Sequence, residues 1–196
     1  MAITTEAPVL ALTNELTYEA YMAEPEVRGR YDIVHGVRVF QPPVSWRRQR
    51  IIGHLSSAVF VRKRTHGDHS VLSPFDLLIR REPLQIRQPD LLLISHERLM
   101  QNGGPPEIGP LEVGPELVVE IVLEEDMEQL LRDKITDYQA MKVDECWVVR
   151  PKSGTVEVLI LTRGKVRSFA TYGEGEIVHS LIFKGLSVPV ADVFED

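Results

Sequence analysis

The sequence predicts an α/β fold, a mixed central β-sheet flanked by α-helices, on three observations. Strand-length apolar runs recur along the chain between segments whose apolar residues fall at helical spacing. Glycine- and proline-containing turns separate these segments. The 196 residues, 43% hydrophobic and 26% charged, contain no repeat and suit one domain with a core of its own. Residues 1–12 are expected to form a flexible arm and residues 13–196 the domain.

Taken in order, Thr17 is placed to cap a short helix running to Met22 and closed by Pro25. Tyr31 to Val34 and Val37 to Gln41 alternate around His35-Gly36, which predicts a hairpin ended by Pro42-Pro43. From Trp46 to Thr65, Ile51, Ile52, Leu55, Val59 and Arg62 recur at helical spacing. Strands are expected at Ser70–Arg80 and Gln88–Ile94 and, after a loop from Gly103 to Pro110, at Leu117–Leu123. A helix follows over Glu125–Lys142, then strands at Glu145–Arg150, Thr155–Leu161 and Val166–Tyr172, the last two joined by a turn at Arg163-Gly164. The tail from Leu186 to Phe194 is expected to lie over the core.

Composition excludes several function classes. The single cysteine, Cys146, rules out an internal disulfide and a cysteine zinc cluster, and within Cys146-Trp147-Val148-Val149 it reads as a small core hydrophobe. No apolar run is long enough to span a membrane, and the first residues lack the pattern of a signal peptide, so a cytoplasmic protein without membrane contact is expected. The net charge of −7 argues against a nucleic-acid partner, but its distribution is uneven. From Arg28 to Arg87, 12 lysines and arginines oppose 4 acids; elsewhere 10 oppose 25. Such a basic segment either presents a local phosphate-binding face or solvates element surfaces. Arg47, Arg48 and Arg50 oppose the dipole in the first turn of their helix, which gives weight to an anion contact.

Asp90, Glu120 and Lys134 stand out against this background. Asp90 opens the run Pro89-Asp90-Leu91-Leu92-Leu93-Ile94, and Glu120 interrupts Leu117 to Leu123. A carboxylate within an apolar strand must be paired, hydrogen-bonded or bound to a cation. On the following helix Lys134 falls in the middle of the stripe made by Met127, Leu130, Leu131, Ile135, Tyr138 and Met141. Two readings stand at this point. One is a buried ion pair of Glu120 with Lys134, with Asp90 capping a turn. The other is a metal-dependent hydrolytic site of two carboxylates and a lysine. Elsewhere His54, His66, His69, His96 and His179 lack metal-ligand spacing, and Gly103-Gly104-Pro105-Pro106 is a loop without a phosphate-binding motif. No serine sits in a nucleophile elbow.

Pro89-Asp90, Glu120-Ile121-Val122 and Lys134 four residues before Tyr138 resemble the pattern of the PD-(D/E)XK nucleases. More narrowly they resemble the Uma-type restriction-endonuclease family, in which a helix lysine replaces the strand lysine; here Val122 holds the strand position. The resemblance runs from Leu16-Thr17-Tyr18-Glu19-Ala20-Tyr21, through Gln88-Pro89-Asp90-Leu91-Leu92 and Glu116-Leu117-Val118-Val119-Glu120-Ile121, to Trp147-Val148-Val149. Four sites depart from it. The hairpin Tyr31-Asp32-Ile33…Gly36-Val37 has Asp32 for a glutamate and Val37 for an acid, Arg48 stands where histidine is common, and Leu123-Glu124-Glu125 replaces Ser-Pro-Ser.

The resemblance implies a restriction-endonuclease-like core with added N-terminal and C-terminal β-hairpins. It implies a DNA endonuclease dependent on Mg²⁺ or Mn²⁺, with the metal on Asp90 and Glu120 and the attacking water positioned by Lys134. Asp32 and Gln88 would be auxiliary, and Arg47, Arg48 and Arg50 would contact DNA phosphates. A homodimer enters only by analogy with nucleases that cut both strands. The alternative is a catalytically silent nuclease-fold module that binds nucleic acid or a protein partner; a third reading is a structural dimer kept from DNA by its acidic surface.

Overall fold

The computed structural model describes residues 15–24, 27–42, 45–123, 127–162 and 165–195, with the backbone alone for residues 63, 65, 66 and 162. The expected arm (1–12), Pro25, the acids 124–126 and the turn Arg163-Gly164 lie outside the described residues. The first element is α1 (Tyr18–Ala23), capped as expected by the Thr17 hydroxyl, which accepts from the Ala20 N–H at 3.2 Å. β1 (Tyr31–Val34) and β2 (Val37–Phe40) form the predicted hairpin. His35 and Gly36 take φ of 50° and 76° at its tip, the left-handed geometry of a two-residue turn that matches strand twist. α2 (Trp46–His66) buries Ile51, Leu55, Val59 and Arg62, the spacing read from sequence.

The extended run expected at 70–80 is divided, and the one expected at 88–94 begins later, at Leu91, with an unexpected strand just before it. β3 (His69–Leu72) and β4 (Leu77–Arg80) belong to different sheets, as do β5 (Gln85–Arg87) and β6 (Leu91–Ser95). Pro74 and Pro89 lie at the two breaks; proline has no N–H for a ladder, so each lets the chain leave one sheet for the other. A further helix, α3 (His96–Gln101), was not anticipated; Ser95 caps it by accepting from the Arg98 N–H at 3.0 Å. β7 (Leu117–Ile121), α4 (Glu128–Ala140) and β8 (Glu145–Arg150) make a parallel crossover. β9 (Thr155–Thr162) and β10 (Lys165–Tyr172) then pair antiparallel, and β11 (Ile177–His179), β12 (Ser187–Pro189) and α5 (Val190–Phe194) complete the chain.

Among the described residues the strands form a four-stranded sheet, β2-β1-β5-β4, a six-stranded mixed sheet, β10-β9-β8-β7-β6-β3, and the β11-β12 pair. α2 packs Ile51, Leu55 and Val59 on one face of the large sheet, against Leu91, Leu93, Val119, Ile121 and Trp147. The C-terminal Leu186, Val188 and Val193 join that cluster, so the tail covers the core as expected. α4 packs Leu131, Ile135 and Tyr138 on the other face, against Leu92, Ile94, Val118 and Val148. Cys146 lies in this second cluster, fully buried and free, and burial pushes its thiol well above the ordinary range. No described helix is long and apolar enough to cross a membrane.

Candidate active site

The candidate site forms where the chain steps from the small sheet to the large one. β5 ends at Arg87, Gln88 and Pro89 cross the gap, and the Asp90 N–H donates to the Val119 carbonyl at 3.1 Å. The β6–β7 register pairs Leu91 with Val119 and Leu92 with Val118, so one step further sets residue 90 opposite residue 120. Side chains alternate along a strand, which gives both acids the face of Leu92, Ile94 and Val118. That is the face α4 covers, and at helical period Lys134 shares the buried stripe of Leu131, Ile135 and Tyr138. Strand register and helix phase thus bring Asp90, Glu120 and Lys134 together.

Glu120 is the partner of Lys134. Nζ lies 3.0 Å from each carboxylate oxygen, and the Tyr138 hydroxyl donates to Oε1. The same ammonium is 3.5 Å from the Gln88 carbonyl and 3.8 Å from Asp32 Oδ2. Asp90 has a different set of partners. Arg30 donates to Oδ1, Arg48 Nη1 lies 2.7 Å from both oxygens, and the Ile121 N–H donates to Oδ2 at 2.7 Å. Arg30 also donates to the Gln88 carbonyl at 3.1 Å. Asp90 is therefore no turn cap; it is a fully buried anion held by two guanidinium groups.

Asp32 joins this cluster. It accepts from the Gln88 N–H at 2.9 Å, Gln41 at 3.3 Å and Arg87 at 3.2 Å, and Arg87 also donates to Asp137 at 2.6 Å. The Gln88 backbone serves the site, whereas its side chain donates to Asp76 at 2.8 Å and leaves a buried Oε1 without a described partner. A cavity of about 10 Å³ lies beside Glu120, Lys134, Arg48 and Gln41, which is room for about one water-sized sphere.

The three arginines expected at phosphates do not share a surface. Arg47 is exposed and donates to the Pro151 carbonyl at 2.7 Å, and Arg50 is half-buried. Arg48 turns inward, because the first turn of α2 meets the end of β6 and β7, where a desolvated carboxylate attracts a guanidinium more strongly than water would. Arg30, Arg87, Asp137, Tyr138 and Gln41 were not singled out from sequence as site residues. Tyr138 alone had a readable signal, four residues after Lys134 on the same helical stripe. Among the described residues the histidines form no cluster with the acids; His69, for example, is buried against Arg62 and Asp68.

Burial and neighbouring charge set the protonation states. Burial pushes the Asp90 carboxyl up, but Arg48, Arg30, Lys134 and the Ile121 N–H outweigh it, so it sits below the ordinary aspartate range. Glu120 stays above its ordinary range because complete burial outweighs the pull of Lys134 and Tyr138. Burial would lower the Lys134 ammonium, yet Glu120, Asp32 and Asp90 raise it above the ordinary lysine value. Lys134 is therefore a persistent cation in this arrangement. Tyr138, buried beside Glu120, keeps its proton and remains a donor.

The donor chemistry suits a hard divalent cation. Asp90 and Glu120 supply carboxylate oxygens from facing positions, and Mg²⁺ is commonly held by one or two carboxylates, waters and substrate phosphates. Among the described residues no three acidic, histidine or cysteine side chains are grouped as a complete metal cage. In the arrangement described, Arg30 and Arg48 are the cations beside Asp90, and Lys134 is the cation beside Glu120.

The crystal structure of a putative nuclease belonging to DUF820 from Anabaena variabilis matches this fold with a TM-score of 0.74 at 15% identity. The match covers 91% of this chain and 97% of that one, so the two share a fold, a mixed sheet flanked by helices as the sequence predicts. No protein of curated function matches the sequence. The family model described as Uma2, putative restriction endonuclease, matches residues 17–191 and so takes in the hairpin of Asp32, both acid strands and the helix of Lys134. On that match the chain belongs to the Uma2 family of putative restriction endonucleases.

Proposed function

We propose that this chain is a divalent-metal-dependent DNA endonuclease centred on Asp90, Glu120 and Lys134. One observation supports it above the others: two buried carboxylates at facing strand positions share a sheet face with a lysine held 3.0 Å from one of them. Asp90 and Glu120 would hold Mg²⁺ or Mn²⁺. When bound, such an ion supplies charge stabilisation at a phosphoryl oxygen and acidifies a bound water. Tyr138 orients Glu120, and Asp32 and the Gln88 carbonyl keep the Lys134 ammonium in place. Held as a cation, Lys134 orients the attacking water by donation and offsets negative charge developing on the phosphorus oxygens; it does not take the proton. Arg47 and Arg50 flank the site on α2 as phosphate contacts.

The silent-module reading draws on a specific observation too, that both Asp90 oxygens already carry guanidinium partners. Nicking of supercoiled plasmid DNA with Mg²⁺, Mn²⁺ or EDTA separates the two. Endonuclease function predicts metal-dependent nicking that drops by roughly 10²-fold or more in Glu120→Gln and Lys134→Gln, the loss typical of a removed electrostatic stabiliser. Circular dichroism establishes that both variants are folded. Nicking by both folded variants at the wild-type rate would sink the assignment, and wild-type protein that neither nicks DNA nor binds Mn²⁺ would favour the silent module.

A further inference from the structure

The two guanidinium groups on Asp90 form the least expected part of this site. Arg30 comes from the loop before β1 and Arg48 from the first turn of α2, and both converge on one carboxylate whose side chain is fully buried. Their own side chains are only 10% and 9% exposed. Arg48 Nη1 alone reaches both Asp90 oxygens, and Arg30 spans Asp90 and the Gln88 carbonyl, the same carbonyl that Lys134 approaches. A divalent cation at Asp90 must occupy the positions these groups hold.

The charge balance makes that exchange conditional. Asp32, Asp90, Glu120 and Asp137 face Arg30, Arg48, Arg87 and Lys134, four carboxylates against four cations. A dication added alone leaves two uncompensated positive charges in a desolvated cluster and strips two buried guanidinium groups of their anion. A phosphodiester arriving with the cation cancels one of the two added charges and gives the displaced guanidinium groups a new anion. Its non-bridging oxygens match the guanidinium fork as well as a carboxylate does.

We propose, on the reading of this site as a metal-dependent nuclease centre, that Arg30 and Arg48 are exchangeable placeholders. They hold Asp90 in the free protein and pass to the phosphate of a bound nucleic acid, which opens Asp90 to the metal. Metal and nucleic acid therefore bind cooperatively, and each enters the isolated protein weakly. Arg48 thereby contacts phosphate only in the loaded state, while in the free protein it points inward. Both residues are positioning residues, since they act through Asp90 and the bound phosphate.

Mn²⁺ binding to the full chain, followed by loss of the free-ion electron paramagnetic resonance signal, tests this without requiring turnover. The probes are Mn²⁺ alone and Mn²⁺ with a short phosphorothioate DNA duplex, on wild type, Arg30→Gln, Arg48→Gln and Arg30→Lys. Each single variant leaves Asp90 one guanidinium partner, and circular dichroism verifies folding. Wild type is expected to bind Mn²⁺ ~10-fold more tightly with the duplex present, within the usual range of coupling between sites. Arg30→Gln and Arg48→Gln are expected to bind Mn²⁺ alone ~10-fold more tightly than wild type and to lose most of the coupling. Arg30→Lys, which keeps the charge, should stay near wild type. Wild-type Mn²⁺ affinity that ignores the duplex, or that neither glutamine variant alters, overturns the placeholder role and leaves the nuclease assignment standing. Absence of Mn²⁺ binding to every protein, with and without duplex, overturns both.

Discussion

At the scale of single residues, Asp90 carries the most consequence. Its carboxylate pairs with two guanidinium groups and accepts the Ile121 N–H, so its removal does more than delete a proposed metal ligand. Asp90→Ala is expected to destabilise the protein by about 3–5 kcal/mol, the cost of breaking a buried pair and stranding the partner charge. Urea unfolding measures it, and a change below 1 kcal/mol would contradict the pairing. From sequence, where Asp90 has no visible partner, the alanine variant would be expected to fold normally; the arginines revise that. The pH dependence has a definite sign. Because the folded-state pKa of Asp90 lies below the ordinary 3.8, its contribution is present above that value and is lost as pH falls through the folded value. Wild type should therefore lose its stability advantage over Asp90→Asn below about pH 4. An advantage constant from pH 7 to pH 3 would refute this.

At the scale of elements, α4 decides whether there is a site. Its phase, set by Leu131, Ile135 and Tyr138 on the sheet, aims Lys134 at Glu120 without any strand lysine. Val122, two residues after Glu120 on the same strand run, is buried among the apolar residues under α4. The C-terminal end of the helix is seated by close backbone approach: a Cβ on Gly114 would lie 2.1 Å from the Met141 carbonyl oxygen. Gly114→Ala must therefore push the end of α4 away, costing about 1–3 kcal/mol as overpacking does. A lowered melting temperature together with reduced nicking is the expected result. An unchanged melting temperature would mean that this seat does not constrain the helix. The helical register of Lys134 was legible from sequence because amphipathic period reports directly which residues face inward.

At the scale of the whole molecule, the site occupies the seam between two sheets, with α2 and α4 contributing from opposite faces of the larger one. This explains why an acidic protein concentrates its basic residues between Arg28 and Arg87: that segment supplies both β1 and α2, which border the seam. Three of those twelve basic residues, Arg30, Arg48 and Arg87, are spent internally on Asp90, Asp32 and Asp137. Arg47 is exposed, and the proposed function makes it a phosphate contact. Arg47→Gln should weaken DNA binding at all sequences alike and lower the slope of log affinity against log salt by roughly 1. Fluorescence anisotropy across a salt series checks this, and an unchanged slope would remove Arg47 from the interface.

The sequence by itself determined most of the elements, the faces that their residues take and the identity of the acids and the lysine. Period and breaker residues are local properties, and an acid in an apolar run is conspicuous without coordinates. Only the tertiary structure decided who meets whom. Arg30 lies 60 residues from Asp90 and Arg48 lies 42 away, and neither interrupts an apolar pattern; the helix dipole marks Arg48 for an anion, but nothing local says that the anion is Asp90. The division of the run at 70–80 between two sheets is hidden for a related reason: the run continues across Pro74, while hydrogen-bond partners change. Facing direction is a property of one element, but charge pairing depends on how elements pack. That is why a trio read from sequence proved to be the centre of a larger balanced cluster of ions.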